Sequence, residues 1–243
     1  MEIAEYKQMD QIESDHPWFV AKRKFLSVVL DKYRLSLGRL KVLDVGCGTG
    51  AVMQFLAKKN FEVYGIDPSG EALKYCTLKG LSVKKSSAEK IDFSEDSFDV
   101  VFALDVLEHL ENPELAVEEI DRVLKKGGIF IMTVPAHQWL WSYHDEFLHH
   151  KKRYNRKDII NLLDKKFEIV KISWIHGFIL LPAMILRFFK QFQKNKDSSS
   201  DVKPVSYLLR SVMSGAYFLE VNLFKVFNSL PFGLSLLAVA KKR

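Results

Sequence analysis

The run from Lys41 to Gly50 constrains the fold of this chain more than any other segment. It reads KVLDVGCGTG: a short apolar strand carrying Asp44, then a turn with glycine at every second position, and a helical pattern from Ala51 onward. Glycine permits a tight turn and lets the backbone approach a ligand that a Cβ atom would keep away. The start of the following helix offers unpaired N–H groups. The segment therefore predicts an α/β fold whose first strand–helix loop binds a nucleotide-type cofactor.

The spacing of the glycines separates this loop from the dinucleotide-binding fingerprint. Gly46, Gly48 and Gly50 form G-x-G-x-G rather than G-x-G-x-x-G, and Asp44 precedes them. A carboxylate at that position would repel a pyrophosphate, whereas it suits a cationic ligand. A second acid, Asp67, ends the next predicted strand about 20 residues beyond the first glycine, where a doubly wound sheet presents a carboxylate to ribose hydroxyls.

These two motifs resemble those of the class I S-adenosylmethionine-dependent methyltransferases, in particular the methyltransferase type 11-like subset. Residues 43–50 are similar to the first motif of that family and residues 65–69 to its second. The resemblance implies S-adenosyl-L-methionine as cofactor, with its amino-acid part against the glycines and its ribose at Asp67. The alternative is a glycine turn in another α/β protein. The predicted cofactor-binding residues are Asp44, Gly46, Cys47, Gly48, Gly50, Asp67, Pro68, Ala88, Glu89, Leu104 and Arg23.

Two of these assignments come from loops at the ends of later strands. Residues 86–89 correspond to the loop that meets adenine in the family, and many relatives carry an acid where this chain has Ser87. Because Ser87 lacks the carboxylate, we expect the main-chain N–H of Ala88 to contact the adenine ring. Leu104, followed by Asp105, corresponds to the position that lines the methionyl and methyl end. A plain strand-to-helix junction is the alternative at this second position.

Residues 1–40 are predicted to form an N-terminal helical lid segment. The stretch His16–Arg23 resembles the same subset, in which aromatic and basic residues precede the first strand. In this interpretation Trp18 or Phe19 covers the cofactor and Arg23 reaches its carboxylate. The alternative is an amphipathic helix that caps the sheet.

Composition supports one globular domain in a reducing compartment. The chain has 243 residues, is 48% hydrophobic and has a net charge of +6, a charge that indicates some affinity for anionic surfaces. Residues 1–11 are unlike a signal peptide, and Cys47 and Cys76 do not form a disulfide framework, so we expect a cytoplasmic protein. No nucleic-acid partner is expected, because Ala-Leu-Asp-Val stands where base-flipping enzymes carry Asn/Asp-Pro-Pro-Tyr/Phe.

The alternation of predicted strands and helices favours a mostly parallel sheet covered on both faces. Strands are predicted at 41–45, 61–66, 82–84, 98–103, 128–134 and 167–173, and helices at 51–59, 69–79, 112–125 and 156–165, the third helix stopping at Lys126–Gly128. A last strand is predicted at 234–241, and by analogy with the family it lies antiparallel between the fifth and sixth. The fold class is thus α/β, a doubly wound, seven-stranded, Rossmann-like methyltransferase sheet. The domain 41–243 carries a helical insertion at 174–230, in which 196–203 is predicted to be a disordered loop.

The densest group of polar side chains, residues 137–154, follows the fifth predicted strand at the sheet edge where such folds bind ligands. Part of it looks like a segment of a bacterial and archaeal subset often found with glycosyltransferases. We predict His144 or His150 as general base toward an acceptor hydroxyl, with Asp145 orienting it. Arg153 is predicted to bind an acceptor phosphate or carboxylate.

Two alternatives remain open for this segment. One is a His/Asp metal site, but the histidines lack a tight ligand spacing, so no metal ion is predicted. The other is a loop locked by Asp–Arg and histidine hydrogen bonds. His109, in the run Asp105-Val-Leu-Glu-His, recurs in many relatives and is interpreted as structural rather than catalytic.

Residues 172–186 are the longest stretch free of Asp, Glu, Lys and Arg. At about 15 residues the stretch falls short of the roughly 20 that span a bilayer. Arg187 and Lys190 follow it, a flank suited to anionic headgroups. We predict peripheral contact of the insertion 174–230 with the inner membrane face; the alternative is packing on the sheet or on a second subunit.

The predicted function is transfer of a methyl group from S-adenosyl-L-methionine to an oxygen atom. A hydroxyl on a glycan or a lipid-linked intermediate is the leading acceptor. The alternatives are a small soluble metabolite as acceptor and a non-catalytic module that only binds the cofactor.

Overall fold

The sheet has seven strands in the order β3-β2-β1-β4-β5-β7-β6. The computed structural model of the chain describes residues 3–35, 38–190 and 205–243. The strands are β1 (Lys41–Val45), β2 (Glu62–Asp67), β3 (Ser82–Lys85), β4 (Phe98–Leu104), β5 (Leu124–Pro135), β6 (Phe167–Ile175) and β7 (Ser235–Lys242). β7 runs antiparallel to both of its neighbours, and the pairs among β1 to β5 are parallel. The predicted fold class, including the position and direction of the last strand, is confirmed.

The helices of the described residues follow the predicted alternation. They are α1 (Ile3–Ile12), α2 (Pro17–Lys32), α3 (Ala51–Ala57), α4 (Gly70–Leu78), α5 (Pro113–Val123), α6 (Tyr143–Phe147), α7 (Arg156–Leu163), α8 (Leu180–Lys190) and α9 (Tyr207–Phe227). The third predicted helix, at 112–125 with a stop at Lys126–Gly128, ends earlier, at Val123. Leu124 already has an extended main chain and pairs with Phe98, so the glycines lie within β5, where the register shifts.

Apolar side chains cover both faces of the sheet. One face packs against α5 and α7 through residues such as Ile120 and Leu163, and the other against α2, α3 and α9 through residues such as Phe25 and Phe224. The central strands β4 and β5 are buried on both sides, as their near-continuous apolar sequences indicate. The carboxyl ends of β1, β2, β4 and β5 therefore meet at one edge, where loops rather than helix faces surround the space.

The N-terminal helices bridge this edge and the core. α2 buries Phe25, Leu26 and Leu30 against the sheet, as an amphipathic cap would, while its first turn reaches the edge. α1 is held over the glycine loop because Lys79 bonds both Asp10 and the main-chain carbonyl of Thr49. The division into a lid (1–40) and a domain (41–243) stays a prediction.

The segment predicted as an insertion contains the last part of β6, then α8 and α9. β6 continues to Ile175, two residues beyond the predicted end of the strand. The predicted disordered loop at 196–203 lies outside the described residues. α9 is anchored by its buried face, where the Glu220 carboxylate accepts a hydrogen bond from the Gly177 main chain at 2.7 Å. Among the described helices, none combines the length and apolarity needed to cross a bilayer.

Candidate functional site

The glycine loop between β1 and α3 adopts backbone conformations that side chains rarely tolerate. Gly46, Gly48 and Gly50 have φ values of +70°, +53° and +92°. A Cβ atom at Gly46 would lie 2.6 Å from a methyl of Val106, so the loop and the end of β4 approach each other closely. Gly46 and Gly48 line the cavity at the sheet edge. Gly50 instead faces α4, where a Cβ atom would clash with Leu81.

Asp67 ends β2 as predicted, and its carboxylate is fixed by the main chain. One oxygen accepts from the Gly48 N–H at 3.0 Å and the other from the Ser69 N–H at 2.9 Å. The side chain borders the cavity although it is almost fully buried. Burial raises the pKa of this carboxyl above its ordinary value, although the two N–H donors oppose the shift. A carboxylate held in this way accepts hydrogen bonds from a ligand without reorganising.

Asp44 lies behind the glycine loop and has an unusually high proton affinity. Its pKa is raised to about 8, chiefly by burial and then by repulsion from Asp67 and Glu13, which outweighs the attraction of Lys22. The carboxyl groups of Asp44, Asp67 and Glu13 lie close to the loop and repel one another when they are ionised. A cation bound beside the loop would relieve that repulsion and lower the pKa. Asp44 itself is not among the residues that line the cavity.

The cavity at the sheet edge has a volume of about 680 Å³. Its walls come from α1, the first turn of α2, the glycine loop, the loop after β3, the end of β4 and the segment 144–153. Pro68, Ala88, Glu89 and Leu104 line it, where the sequence predicts cofactor contacts. Trp18 and Phe19 line it too, as the lid interpretation requires. The cavity is large enough for a nucleoside-sized cofactor and a second molecule beside it.

Besides Asp44 and Gly50, two further predicted cofactor residues, Cys47 and Arg23, do not line this cavity. The Cys47 thiol packs 4.0 Å from the Cys76 sulfur in a small core cluster with Met53. The Arg23 guanidinium donates to the main-chain carbonyls of Glu13 and Ser14, both at 2.7 Å, and thereby closes the α1–α2 turn. The geometry does not support side-chain contact of either residue with a ligand in the cavity.

An ion pair that sequence reasoning missed ties α2 to the end of β4. Lys22 donates to the Asp105 carboxylate, which also accepts from the Thr133 hydroxyl at 2.7 Å. Burial alone would raise the pKa of Asp105, but Lys22 and the hydroxyl outweigh it and hold the pKa below its ordinary value. Asp105 has a φ of +57°, an uncommon conformation that turns the chain away from the strand. The sequence signal was an acid at a strand end and a lysine on the core-facing side of a helix.

The segment 137–154 is organised around one buried carboxylate. Asp145 accepts two hydrogen bonds from the Arg153 guanidinium, at 2.7 and 3.0 Å, and one from the Ser142 main chain at 2.9 Å. The remaining nitrogen of Arg153 donates to the Ala136 carbonyl at 3.0 Å. For Asp145 and Arg153 this geometry matches the alternative of a locked loop. The predicted role of Arg153 toward an acceptor anion is not supported, because its hydrogen bonds are directed inward.

The two histidines predicted as candidate bases both line the cavity. His150 is oriented by Asp145, whose carboxylate lies 2.9 Å from the Nδ1 atom of the ring. The His144 ring lies near His150, with 6.4 Å between the ring centroids. His109 lies on the other side of His150 at 4.8 Å, and burial lowers the pKa of His109 to about 4, so it is neutral at physiological pH. The structure thus brings the four residues together: His144, His150 and Arg153 line the cavity, and Asp145 lies buried behind them.

Sequence reasoning also missed Glu108, which lies in the one-turn helix Leu107–His109 after β4 and borders the same cavity. The side chain is 1% exposed. Nothing in the sequence distinguishes this glutamate from a surface acid of a polar turn, so only the fold reveals that it is buried.

Comparison with known proteins identifies the central part of the chain. Residues 43–132 match a family model described as a methyltransferase domain. The ubiquinone biosynthesis O-methyltransferase of Alkalilimnicola ehrlichii is 37% identical over 114 residues, which are 43% of this chain and 46% of the relative. The counterpart from Methylococcus capsulatus is 38% identical over 107 residues, covering 41% and 45%. The alignments thus span about half the length of these relatives.

Two further comparisons extend over most of the chain. The uncharacterized protein MJ1123 of Methanocaldococcus jannaschii is 29% identical over 178 residues, covering 73% of this chain and 82% of that protein. A crystal structure of a SAM-dependent methyltransferase from Archaeoglobus fulgidus superposes with a TM-score of 0.59 at 22% identity, covering 90% of this chain and 94% of the other. At that identity the superposition shows the fold.

Proposed function

The chain belongs to the class I S-adenosylmethionine-dependent methyltransferases, and on that premise we propose that it methylates a hydroxyl oxygen of a small-molecule acceptor. One observation carries the proposal: a single cavity is bordered on one side by the motif residues Gly46, Gly48 and Asp67 and on the other by His144 and His150. The relatives named as O-methyltransferases support oxygen as the methylated atom.

The residues of the first side fit the cofactor. The Asp67 carboxylate would accept hydrogen bonds from the ribose hydroxyls, and Gly46 and Gly48 line the cavity beside it. A cationic amino-acid part bound beside the glycine loop would favour the charged form of Asp44 behind that loop. When bound, S-adenosyl-L-methionine supplies a methyl group on a positively charged sulfur. The chain's own residues position the acceptor, exclude water and accept the acceptor's proton.

The second side supplies that proton acceptor. Either His144 or His150 would take the hydroxyl proton onto a ring nitrogen while the oxygen forms its bond to the methyl carbon. His144→Ala is expected to lower turnover by about 10²–10⁴-fold if it is the base, with affinity for S-adenosylhomocysteine unchanged. Steady-state kinetics and calorimetry on the same preparation measure both quantities. His137→Ala is the control, because that ring bonds the Gly233 carbonyl and does not line the cavity; equal activity of both variants would remove His144 from the mechanism.

We further propose that the acceptor is lipid-linked and that α9 brings the protein to the membrane that carries it. The buried face of α9 packs on the core through Tyr217 and Phe224. The opposite face carries an exposed apolar stripe, whose members are Leu208, Val212, Leu219 and Val226, each between 57% and 75% exposed. A helix that is apolar on two faces has a second surface to cover, and basic residues from Arg187 to Lys203 suit anionic headgroups.

The acceptor class is tested by incubating the protein with methyl-labelled cofactor and an extract that includes membranes. Label extracted with the lipids supports the lipid-linked acceptor. Label confined to water-soluble small molecules would contradict it and leave methyl transfer in place. No transfer to any fraction, with cofactor binding intact, would favour a module that only binds the cofactor.

A further inference from the structure

Three potential metal ligands converge on one wall of the cavity. Glu108 and His109 come from the one-turn helix after β4, and His150 comes from the segment that follows α6. One ligand atom from each, a carboxylate oxygen and two imidazole nitrogens, lies within 4.8 Å of the others. All three residues border the cavity, so an ion bound by them would be reachable by a second ligand.

The Glu108 carboxylate is the least satisfied of these groups. Its side chain is almost completely buried, and neither of its oxygens has a hydrogen-bond partner among the described residues. A buried carboxylate without donors costs several kcal/mol or more unless a charge compensates it. Buried polar groups of this kind are rare and indicate an unfilled requirement.

The nearest basic side chains do not meet that requirement. Lys22 forms an ion pair with Asp105, and Arg153 donates two hydrogen bonds to Asp145. Lys151 contributes its main-chain N–H to the Glu108 carbonyl, while its ammonium pairs with Glu111 at 2.6 Å. Each of these three cation–carboxylate pairs is neutral, so none of the three cations is left to compensate the Glu108 side chain.

The His150 ring is held in an orientation that metal ligation uses. The His109 ring lies beside the His150 ring, with 4.8 Å between the ring centroids. The Asp145 carboxylate contacts Nδ1 of His150 at 2.9 Å, which leaves Nε2 for a ligand, and Arg153 fixes Asp145 in turn. Carboxylate and carbonyl groups behind metal-bound histidines set the tautomer and the ring direction in the same way.

We propose that Glu108, His109 and His150 bind one divalent transition-metal ion, with Zn²⁺ or Mn²⁺ as the matching chemistry. Two imidazoles and one carboxylate form a donor set that such ions prefer over Ca²⁺. Bonds of about 2.1 Å place two ligand atoms at most about 4.2 Å apart, so any two of these atoms that are more widely separated have to move closer together when the ion binds. Three protein ligands leave coordination positions open toward the cavity.

An open coordination position would let the ion bind the methyl acceptor. This part of the inference rests on the proposed function. The acceptor oxygen would coordinate there, and its hydroxyl would lose its proton more readily than in water. His150 is then a ligand, which leaves His144 to take the proton. Oxygen forms the new bond to the methyl carbon, and the electrons of the carbon–sulfur bond return to the cofactor sulfur.

The site is tested by calorimetric titration of the full chain, stripped of metal with a chelator, with ZnCl₂, MnCl₂ and CaCl₂ separately. We expect one equivalent of Zn²⁺ or Mn²⁺ to bind and Ca²⁺ to bind at least tenfold more weakly. Glu108→Gln keeps the size of the side chain, and His150→Gln removes one imidazole; each is expected to weaken binding at least tenfold. His149→Asn is the matched control, since His149 is an adjacent histidine outside the cluster and asparagine tolerates its φ of +57°.

Absence of binding by any of the three ions would overturn the site, as would binding that Glu108→Gln and His150→Gln leave unchanged or that His149→Asn abolishes. S-adenosylhomocysteine is titrated into the same samples, which also shows that each variant is folded. Cofactor binding without metal binding contradicts the metal site and leaves the proposed function standing. Metal binding without cofactor binding supports the site and contradicts the proposed function.

Discussion

The protonation state of Asp44 depends on whether a cationic ligand is bound beside the glycine loop. With a pKa of about 8, it is largely protonated at neutral pH when nothing cationic is bound. The folded state therefore binds more protons than the unfolded state between the unfolded pKa, about 4, and about 8. In that interval the contribution of Asp44 to the free energy of unfolding decreases as pH rises.

Asp44→Asn is expected to remove this pH dependence. The thermal unfolding midpoint of the wild-type protein without ligand should fall between pH 6 and pH 8 more steeply than that of the variant, because the variant has no proton to lose at this position. S-adenosylhomocysteine, which carries an ammonium group, should bind wild type more tightly as pH rises over the same interval, by roughly tenfold at most. Parallel curves for the two proteins would show that Asp44 does not titrate there.

Arg153 and Asp145 form a buried ion pair whose role we expect to be structural. Arg153→Met leaves the Asp145 carboxylate buried without its cation and is expected to lower the free energy of unfolding by about 3–5 kcal/mol. Lys152→Met is the control: it removes a neighbouring, half-exposed ion pair with Asp158 and should cost less than about 1 kcal/mol. Urea denaturation measures both. If the Arg153 variant were as stable as the control, the predicted role of Arg153 in binding an acceptor anion would be favoured instead.

Among the helices described, α9 has apolar residues on two opposite faces. Its inner face is covered by α2 and the sheet, and its outer face carries the apolar stripe of Leu208, Val212, Leu219 and Val226. Positions 208, 212, 219 and 226 follow a spacing of four and seven, which keeps them in line along the helix. The stripe is therefore a continuous surface rather than scattered exposure.

The protein is expected to sediment with vesicles that contain anionic lipid and to bind them less once the stripe carries charge. Leu219→Glu combined with Val226→Glu should weaken vesicle binding at least tenfold, because each carboxylate has to be removed from water. Leu78→Glu is the control, since Leu78 is an exposed leucine on α4. A dimer that the double variant dissociates, with no vesicle binding by wild type, would assign the stripe to a second copy of the chain.

The elements also show what sequence can predict. The strands β1, β2 and β4 follow from apolar runs bounded by turns, and the antiparallel β7 follows from the resemblance to the family. The start of β5 was misplaced because Gly127–Gly128 has the composition of a helix stop, while pairing of Leu124 with Phe98 decides the structure. The cluster of Glu108, His109 and His150 was not predicted, because it depends on Tyr154 pairing beside β5 and returning the segment to the end of β4.

At the scale of the molecule, one edge of the sheet gathers every element of the proposed chemistry. The glycine loop and Asp67 come from the ends of β1 and β2, Leu104 and Glu108 from the end of β4, and His144 with His150 from the segment after β5. α1 and α2 close the cavity and are tied to it by Lys79 and Lys22. Most of the cofactor side could be predicted from local motifs, whereas the acceptor side depends on contacts between distant segments.

Calorimetric titration of the full chain with S-adenosylhomocysteine tests the central claim, that this cavity is a cofactor site, most directly. We expect one binding site per chain. Asp67→Ala should reduce the binding free energy by about 1–3 kcal/mol, because charge-assisted hydrogen bonds are lost. Asp92→Ala, at an exposed carboxylate paired with Lys84, should bind as wild type does. Failure of the wild-type protein to bind, or equal binding by wild type and Asp67→Ala, would contradict the account.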